Sequence, residues 1–266
     1  MKTCILTLIK DEHEYLKDFI EYHLSIGIDD IFFLEDIDSK SHYDIVKHYN
    51  NVKLLKASEI IPIDTILPLK KYGAGFQSIY DSEGMDYIYL RYDFDWCFLI
   101  DIDEFITIDE PLEQILSDYS EYEALMLQWK NYGCSGHIYK PKYDKPIWEI
   151  YDKECNFLKK DKERFKHTKV CYNMKKFKMD FVINCHFPDC EFVKPNFSKD
   201  RFSEPCYDRI YIRHYITKSF EEYIWKLFVR GITIRDHRKI DDFFEMNPEM
   251  NPKKEEMLKL IDSFIK

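Results

Sequence analysis

Runs of continuous apolar residues alternate with stretches of helical spacing over the first hundred positions. Thr3 to Ile9 reads as a strand buried on both faces, closed by the polar turn Lys10-Asp11-Glu12. Glu14 to Ile26 carries Leu16, Phe19, Ile20 and Leu24 on one side, with Gly27 as a stop. Ile31 to Leu34 is a second buried strand, followed by Glu35-Asp36-Ile37-Asp38-Ser39. Ser41 to Tyr49 reads as a short helix and Val52 to Leu55 as a third strand. Residues 58–72, with Pro62 and Pro68, read as a loop, and about Gly75 to Tyr92 as a helix weakened by Gly84. Trp96 to Ile100 is then a central strand. Such alternation predicts an α/β fold: a Rossmann-like, mostly parallel sheet, helices on both faces and ligand loops at the strand ends.

Past Pro111 the pattern changes. A helix over 111–118 leads into the strand Ala124 to Trp129 and then Gly133-Cys134-Ser135-Gly136-His137. Residues 138–210 lack sustained periodicity and are expected to hold short antiparallel strands and mobile loops. Ser219-Phe220-Glu221-Glu222 spells a capping box, opening a helix through Arg230 that Gly231 ends. Lys253 to Ile265 is a final amphipathic helix, with Met257, Leu258, Ile261, Phe264 and Ile265 together. That face suits packing on the body of the protein better than a membrane surface. The expected organisation is one domain over 1–235, with halves 1–106 and 107–235, and a helical extension over 236–266.

The chemistry concentrates after the central strand, where Asp101, Asp103 and Glu104 supply three carboxylates in four positions. Ionised carboxylates beside a core are costly without a partner, and a cation removes the cost. In extended chain Asp101 and Asp103, at i and i+2, point the same way and can share one divalent ion; otherwise the run is an acidic loop that merely follows a strand. The carboxyl edge of a parallel sheet is also where open α/β folds bind ligands.

Composition narrows the partners. The 266 residues carry a net charge of −10, against a nucleic-acid partner, whose phosphates call for Lys and Arg. Residues 166–178 are the one basic stretch. Eight cysteines without a C-x-x-C, and no signal or membrane-spanning run, suit free thiols in a reducing cytoplasm. A high count of 20 Tyr and 20 Phe suits a sugar-binding cleft, but fits a biased genome better.

The first half resembles the nucleotide-binding half of GT-A glycosyltransferases, and Asp101-Ile102-Asp103 looks like their metal-binding D-x-D. More narrowly, the chain resembles the family 92 and family-2-like glycosyltransferases. The matching stretches are Lys10-Asp11-Glu12 with Tyr22 to Gly27; Asp36 to Ser39; Asp101 to Ile106; Gln128-Trp129 with Tyr132-Gly133; and His214 to Ser219 with Glu221-Glu222 and Arg230-Gly231. The resemblance implies a GT-A fold with an irregular acceptor side. It implies transfer of a sugar from a nucleotide sugar, such as UDP-galactose, to a glycan or glycolipid, with inversion and with Mn²⁺ or Mg²⁺. It makes Asp103 the leading metal ligand, with Asp101 on the ribose or the metal. His214 is a further metal ligand or a histidine bonded within the core. Asp36 addresses the nucleobase or ribose, or serves a turn; Thr7 and Glu12 line the same pocket. Gln77 and Tyr80 face the donor or pack. Lys169 or Lys218 pairs with the diphosphate or is merely solvated. Glu149 or Asp189 is the candidate base, each otherwise a surface ion-pair residue. An inner-membrane-face location, with peripheral contact, follows by analogy.

Two other classes remain open. A metal-dependent phosphohydrolase or nucleotidyltransferase also uses strand-end carboxylates, though no phosphate loop of the G-x-x-x-x-G-K-[ST] or G-x-G-x-x-G type occurs. A non-catalytic carbohydrate-binding protein on the same fold is the other.

Overall fold

The computed structural model describes residues 1–72, 76–155, 167–178, 183–230 and 239–264. Two compact units emerge, one of residues 1–129 with 166–212 and another of 130–165 with 213–266.

Among the described residues nine strands form one sheet, in which Thr3–Ile9 and Trp96–Leu99 are buried almost throughout whereas Val52–Lys56 is only partly buried. They are β1 (Thr3–Ile9), β2 (Asp30–Glu35), β3 (Val52–Lys56), β4 (Trp96–Leu99), β5 (Glu104–Ile108), β6 (Ala124–Asn131), β7 (Thr168–Asn173), β8 (Phe192–Val193) and β9 (Ile210–His214). The sheet order is β3-β2-β1-β4-β7-β6-β9-β5, with β8 added beside β6. β3, β2, β1 and β4 are mutually parallel, whereas β7 runs antiparallel to both β4 and β6. The expected mixed α/β architecture is present, with its parallel half at the amino end.

Helices cover both faces. α1 (His13–Ser25) buries Tyr15, Leu16, Phe19, Ile20 and His23, and Phe19 meets Phe33 of β2. Gly27, at φ 100°, turns the chain after α1 in the left-handed region that glycine tolerates. On the opposite face Leu6, Phe32, Leu34, Cys97 and Leu99 form a cluster with Tyr80, Met85 and Ile88 of a helix over Phe76–Arg91. Gly84 lets that helix approach β1: a Cβ there would lie 2.8 Å from Leu6 Cδ2.

Several boundaries differ from expectation. The helix expected over 41–49 shortens to α2 (Tyr43–Val46). The segment read as a loop, 58–72, is mostly helical, as α3 (Ala57–Ile60) and α4 (Ile63–Tyr72), which makes the Phe76–Arg91 helix α5. Pro62 accepts the first bonds of α4, from Thr65 and Ile66 N–H, and Ile66 is fully buried. The Pro62 carbonyl, by accepting those first bonds, together with an anchored isoleucine, outweighs the breaker signal of Pro68. β4 ends at Leu99, one residue early, and β5 was not foreseen at all. α6 (Leu112–Asp118) follows as expected, and β7 and β8 supply short strands within 138–210.

In the second unit, after the short α7 (Ile147–Ile150), α8 (Phe220–Trp225) begins with the foreseen capping box. Ser219 Oγ accepts from Glu222 N–H and the Glu222 carboxylate from Ser219 N–H, both at 3.2 Å. It continues as a π-turn through Arg230. Phe220, Tyr223 and Ile224 pack with α9 (Ile240–Met246) and with Met257 and Ile261 of α10 (Lys254–Ile261). The apolar face of the final helix therefore lies on this unit's core; Ile265 falls outside the described residues. Among the described residues no helix is long and apolar enough to cross a membrane.

Candidate active site

The order β3-β2-β1-β4 places the reversal of winding between β1 and β4. The carboxyl ends of strands at such a reversal form a crevice outside the sheet. Thr7 Oγ1 donates to Ile100 C=O at 2.9 Å, joining the two strands at that edge.

The acidic run after β4 is a tight turn rather than extended chain. Glu104 N–H donates to Asp101 C=O at 3.0 Å, and Asp101 N–H donates to Glu104 Oε2 at 2.8 Å. Ile102 is buried within the turn and Glu104 begins β5. The expectation that Asp101 and Asp103 share one face of a strand is thereby corrected; an apolar residue seeking the core folds the chain between them.

Lys169 meets this turn from β7. Val170 sits opposite Leu99 in the antiparallel register, which brings Lys169 level with the end of β4. Its side chain is fully buried. It donates to Asp101 Oδ2 at 2.8 Å and to Cys185 Sγ at 3.7 Å, and forms an ion pair with Glu104 Oε2 at 3.5 Å. Gln77 Nε2, from α5, donates to the other Asp101 oxygen at 3.2 Å. Burial alone would lower the Lys169 ammonium, but Asp101, Cys185 and Glu104 outweigh it and hold it well above the ordinary value. Burial would likewise raise Asp101, and Lys169 reverses that, leaving the carboxyl below its usual range. Glu104 goes the other way: burial raises it well above the carboxylate range, with Lys169 only partly opposing. Asp81 lies behind Lys169, pushed up to about 7 by burial, and takes a hydrogen bond from Cys185.

The neighbouring loops are tied together along the same edge. Asp11, at φ 52°, accepts from Lys40 N–H at 3.0 Å, and Asp11 N–H donates to Ser39 Oγ. Glu12 N–H donates to His42 Nε2 at 3.0 Å, while His42 Nδ1 donates to Glu35 Oε1 at 2.9 Å. Asp36 N–H is fixed by Ile9 C=O, and Tyr80 O–H points to Asp36 Oδ1 at 3.5 Å. His186, pushed down to about 4 chiefly by burial, donates from Nδ1 to Thr168 C=O at 2.9 Å.

Of the residues singled out from sequence, Thr7, Gln77, Asp101 and Lys169 are thus joined at one strand edge, with Asp36 and Glu12 on the adjoining loops and Tyr80 on α5. Asp103 is buried in the same turn, and Asp189 is exposed in the bend after His186. His214, Lys218 and Glu149 belong to the second unit. There His214 Nδ1 meets Asn131 Oδ1 at 3.1 Å, Lys218 has φ 54°, and Glu149 is exposed on α7. Sequence reading passed over Glu104 as a partner, Asp81, Cys185 and His42. The available signal was a lysine inside Thr168-Lys169-Val170-Cys171-Tyr172-Asn173, a strand buried throughout, which demands a counter-charge.

Among the described residues no three His, Cys, Asp or Glu side chains gather as a metal-binding group. Both Asp101 oxygens face nitrogen donors instead, Lys169 Nζ and Gln77 Nε2. Asp101, so occupied, does not fit the part of ligand to a resident divalent ion.

No family model matches the chain, and no curated protein matches it. Among solved structures it is similar to S. aureus TarS, at 12% identity over 53% of this chain and 23% of that one, TM-score 0.35. A TarS fragment, 1–349, matches at 10% identity over 94% and 72%, TM-score 0.42. HddC from Yersinia pseudotuberculosis matches at 10% over 94% and 100%, TM-score 0.39. Glucosyl-3-phosphoglycerate synthase from Mycobacterium tuberculosis, in complex with Mn²⁺, UDP and phosphoglyceric acid, matches at 12% over 51% and 44%, TM-score 0.32. The chain therefore spans under half the length of two of these. At these scores the likenesses carry no argument about activity.

Proposed function

We propose that this chain is a GT-A-type glycosyltransferase, moving a sugar from a nucleotide sugar of the UDP class, such as UDP-galactose, to a glycan or glycolipid. The observation that supports this most is the anchored carboxylate at the winding reversal. Asp101 is held by Lys169 and Gln77 at the carboxyl end of β4, and it stays 36% exposed while its partner lysine is fully buried. A carboxylate so oriented accepts hydrogen bonds from vicinal hydroxyls, the pattern that ribose presents. Asp36, with Tyr80 behind it, serves the same ligand at the end of β2, where a nucleobase or ribose would lie.

In the reaction the acceptor hydroxyl oxygen forms the new bond to the anomeric carbon. The bond from that carbon to the diphosphate oxygen breaks, its electron pair leaves with the nucleotide, and the hydroxyl proton passes to a base. Glu149 and Asp189 are the proposed candidates for that base, with inversion at the anomeric carbon.

Calorimetric titration with UDP tests the reading. Wild type should bind, and Asp101→Asn should weaken binding by about 10- to 100-fold, the worth of a hydrogen bond to a charged group. UDP release from a panel of UDP-sugars then identifies the donor. Absence of binding to UDP and to the other nucleoside diphosphates would overturn the proposal.

A further inference from the structure

We infer that the acidic turn carries its own cation: Lys169 occupies the place between Asp101 and Glu104 that a divalent ion would take. Four carboxyl groups, Asp81, Asp101, Asp103 and Glu104, act on one another across this small region of the first unit. Among the described residues, Lys169 is in ion-pair contact with two of them, Asp101 and Glu104.

The geometry leaves the lysine little choice. Lys169 is held in the sheet on both sides, with Val170 opposite Leu99 of β4 and Lys169 itself opposite Leu127 of β6. Its ammonium cannot withdraw to solvent, because the side chain has no exposed surface. The ammonium donates to the Asp101 carboxylate and to the Cys185 thiol and is paired with Glu104, so its surroundings suit a cation of this kind. A divalent ion needs carboxylate oxygens at about 2.1–2.5 Å as ligands. Here Asp101 presents one oxygen to an ammonium and the other to an amide N–H. A metal at Asp101 Oδ2 would sit beside the lysine and be repelled by it in a poorly screened interior. Glu104 Oε1, in a residue with no exposed surface, has no hydrogen-bond partner among the described residues. It marks a cation-seeking oxygen that the ammonium, paired on the Oε2 side, does not satisfy. Taking the lysine away would thus uncover a metal site rather than an inert gap.

The inference deepens the proposed transferase, because it makes Asp101 a fixed acceptor for donor hydroxyls instead of a metal ligand. Lys169 then acts as a positioning residue through Asp101.

Mn²⁺ binding, followed by the spin-resonance signal of the free ion in the absence of nucleotide, tests it. Wild type should hold no Mn²⁺ that Asp101→Asn removes. Lys169→Met should gain one site, about tenfold or more tighter than anything in wild type, and Mn²⁺ should raise its melting temperature. Lys169→Arg should behave as wild type. Stoichiometric Mn²⁺ in wild type, abolished by Asp101→Asn, would overturn the inference; so would a folded Lys169→Met that gains no ion. If Lys169→Met does not fold, the wild-type and Asp101→Asn pair decides alone. None of these readouts needs nucleotide, so loss of the transferase reading and loss of this inference are separable.

Discussion

Lys169 and His42 are both fully buried polar side chains near strand ends in the first unit, and they are held by opposite means. Lys169 keeps a full charge, stabilised by Asp101 and Glu104. His42 is kept neutral: Nδ1 donates to Glu35 while Nε2 accepts the Glu12 amide, so a second proton has nowhere to go. His23 repeats the histidine arrangement, with Nδ1 toward Phe19 C=O at 2.8 Å and Nε2 accepting Ile106 N–H at 3.2 Å. The contrast teaches where each arrangement is vulnerable. A charged knot should be sensitive above all to substitution. A tautomer-locked knot should tolerate a neutral mimic and yield to acid.

The largest effect should come from removing the charge. Lys169→Met leaves buried carboxylates without their cation and should cost about 3–5 kcal/mol in denaturant-unfolding measurements. Lys169→Arg keeps the charge and should cost clearly less. Equal losses would mean that packing, not charge, holds the knot.

The two carboxyl partners should then separate. Asp101 sits below its usual range and pairs with Lys169, so Asp101→Asn should cost about 1.5–3 kcal/mol. Burial pushes Glu104 well above the carboxylate range, with Lys169 only partly opposing, so Glu104→Gln should cost less than Asp101→Asn. A larger loss for Glu104→Gln would reverse the assignment of the charge.

Acid should act on the histidines. Burial lowers His23 from 6.5 to about 3, and lowers His42 in the same direction against the pull of Glu35. A histidine so depressed is neutral in both folded and unfolded chains above about 6.5, where its contribution is complete. As pH falls below that value the unfolded chain takes the proton first, and stability drops by up to about 1.4 kcal/mol per pH unit for each histidine. His23→Gln should flatten the fall in unfolding midpoint between pH about 6 and about 4. An unchanged slope would place the acid sensitivity elsewhere.

The same contrast explains what the sequence disclosed. Trp96 to Leu99 is legible because a continuous apolar run has few ways to be satisfied except as a central strand. The Ser219–Glu222 box is legible because both halves of the cap are local. Lys169 was not, since a lysine in a strand reads as solvated until the β4–β7 register shows which carboxylates it faces. Asp101 and Asp103 misled for a related reason. Their spacing suggested extended chain, but burial of Ile102 and the Asp101–Glu104 bonds fold it into a turn. Local signals gave the elements; the partners of buried charges are set by pairing across the sheet.

The smallest predicted effect sharpens the comparison by removing a neutral bond beside the charged knot. Thr7 Oγ1 donates to Ile100 C=O at 2.9 Å, immediately before Asp101, and Thr7 is 1% exposed. Thr7→Val keeps the shape and loses only the hydroxyl, leaving one carbonyl short of a donor. It should cost about 1 kcal/mol, the ordinary net worth of a neutral hydrogen bond. If Thr7 merely ties β1 to β4, its loss should add to that of Asp101→Asn in the double variant. A shortfall or excess beyond about 0.5 kcal/mol would show instead that the neutral bond sets the angle at which Asp101 meets Lys169. That coupling would make the two strand ends and the lysine one cooperative unit, and the histidine knot a separate one.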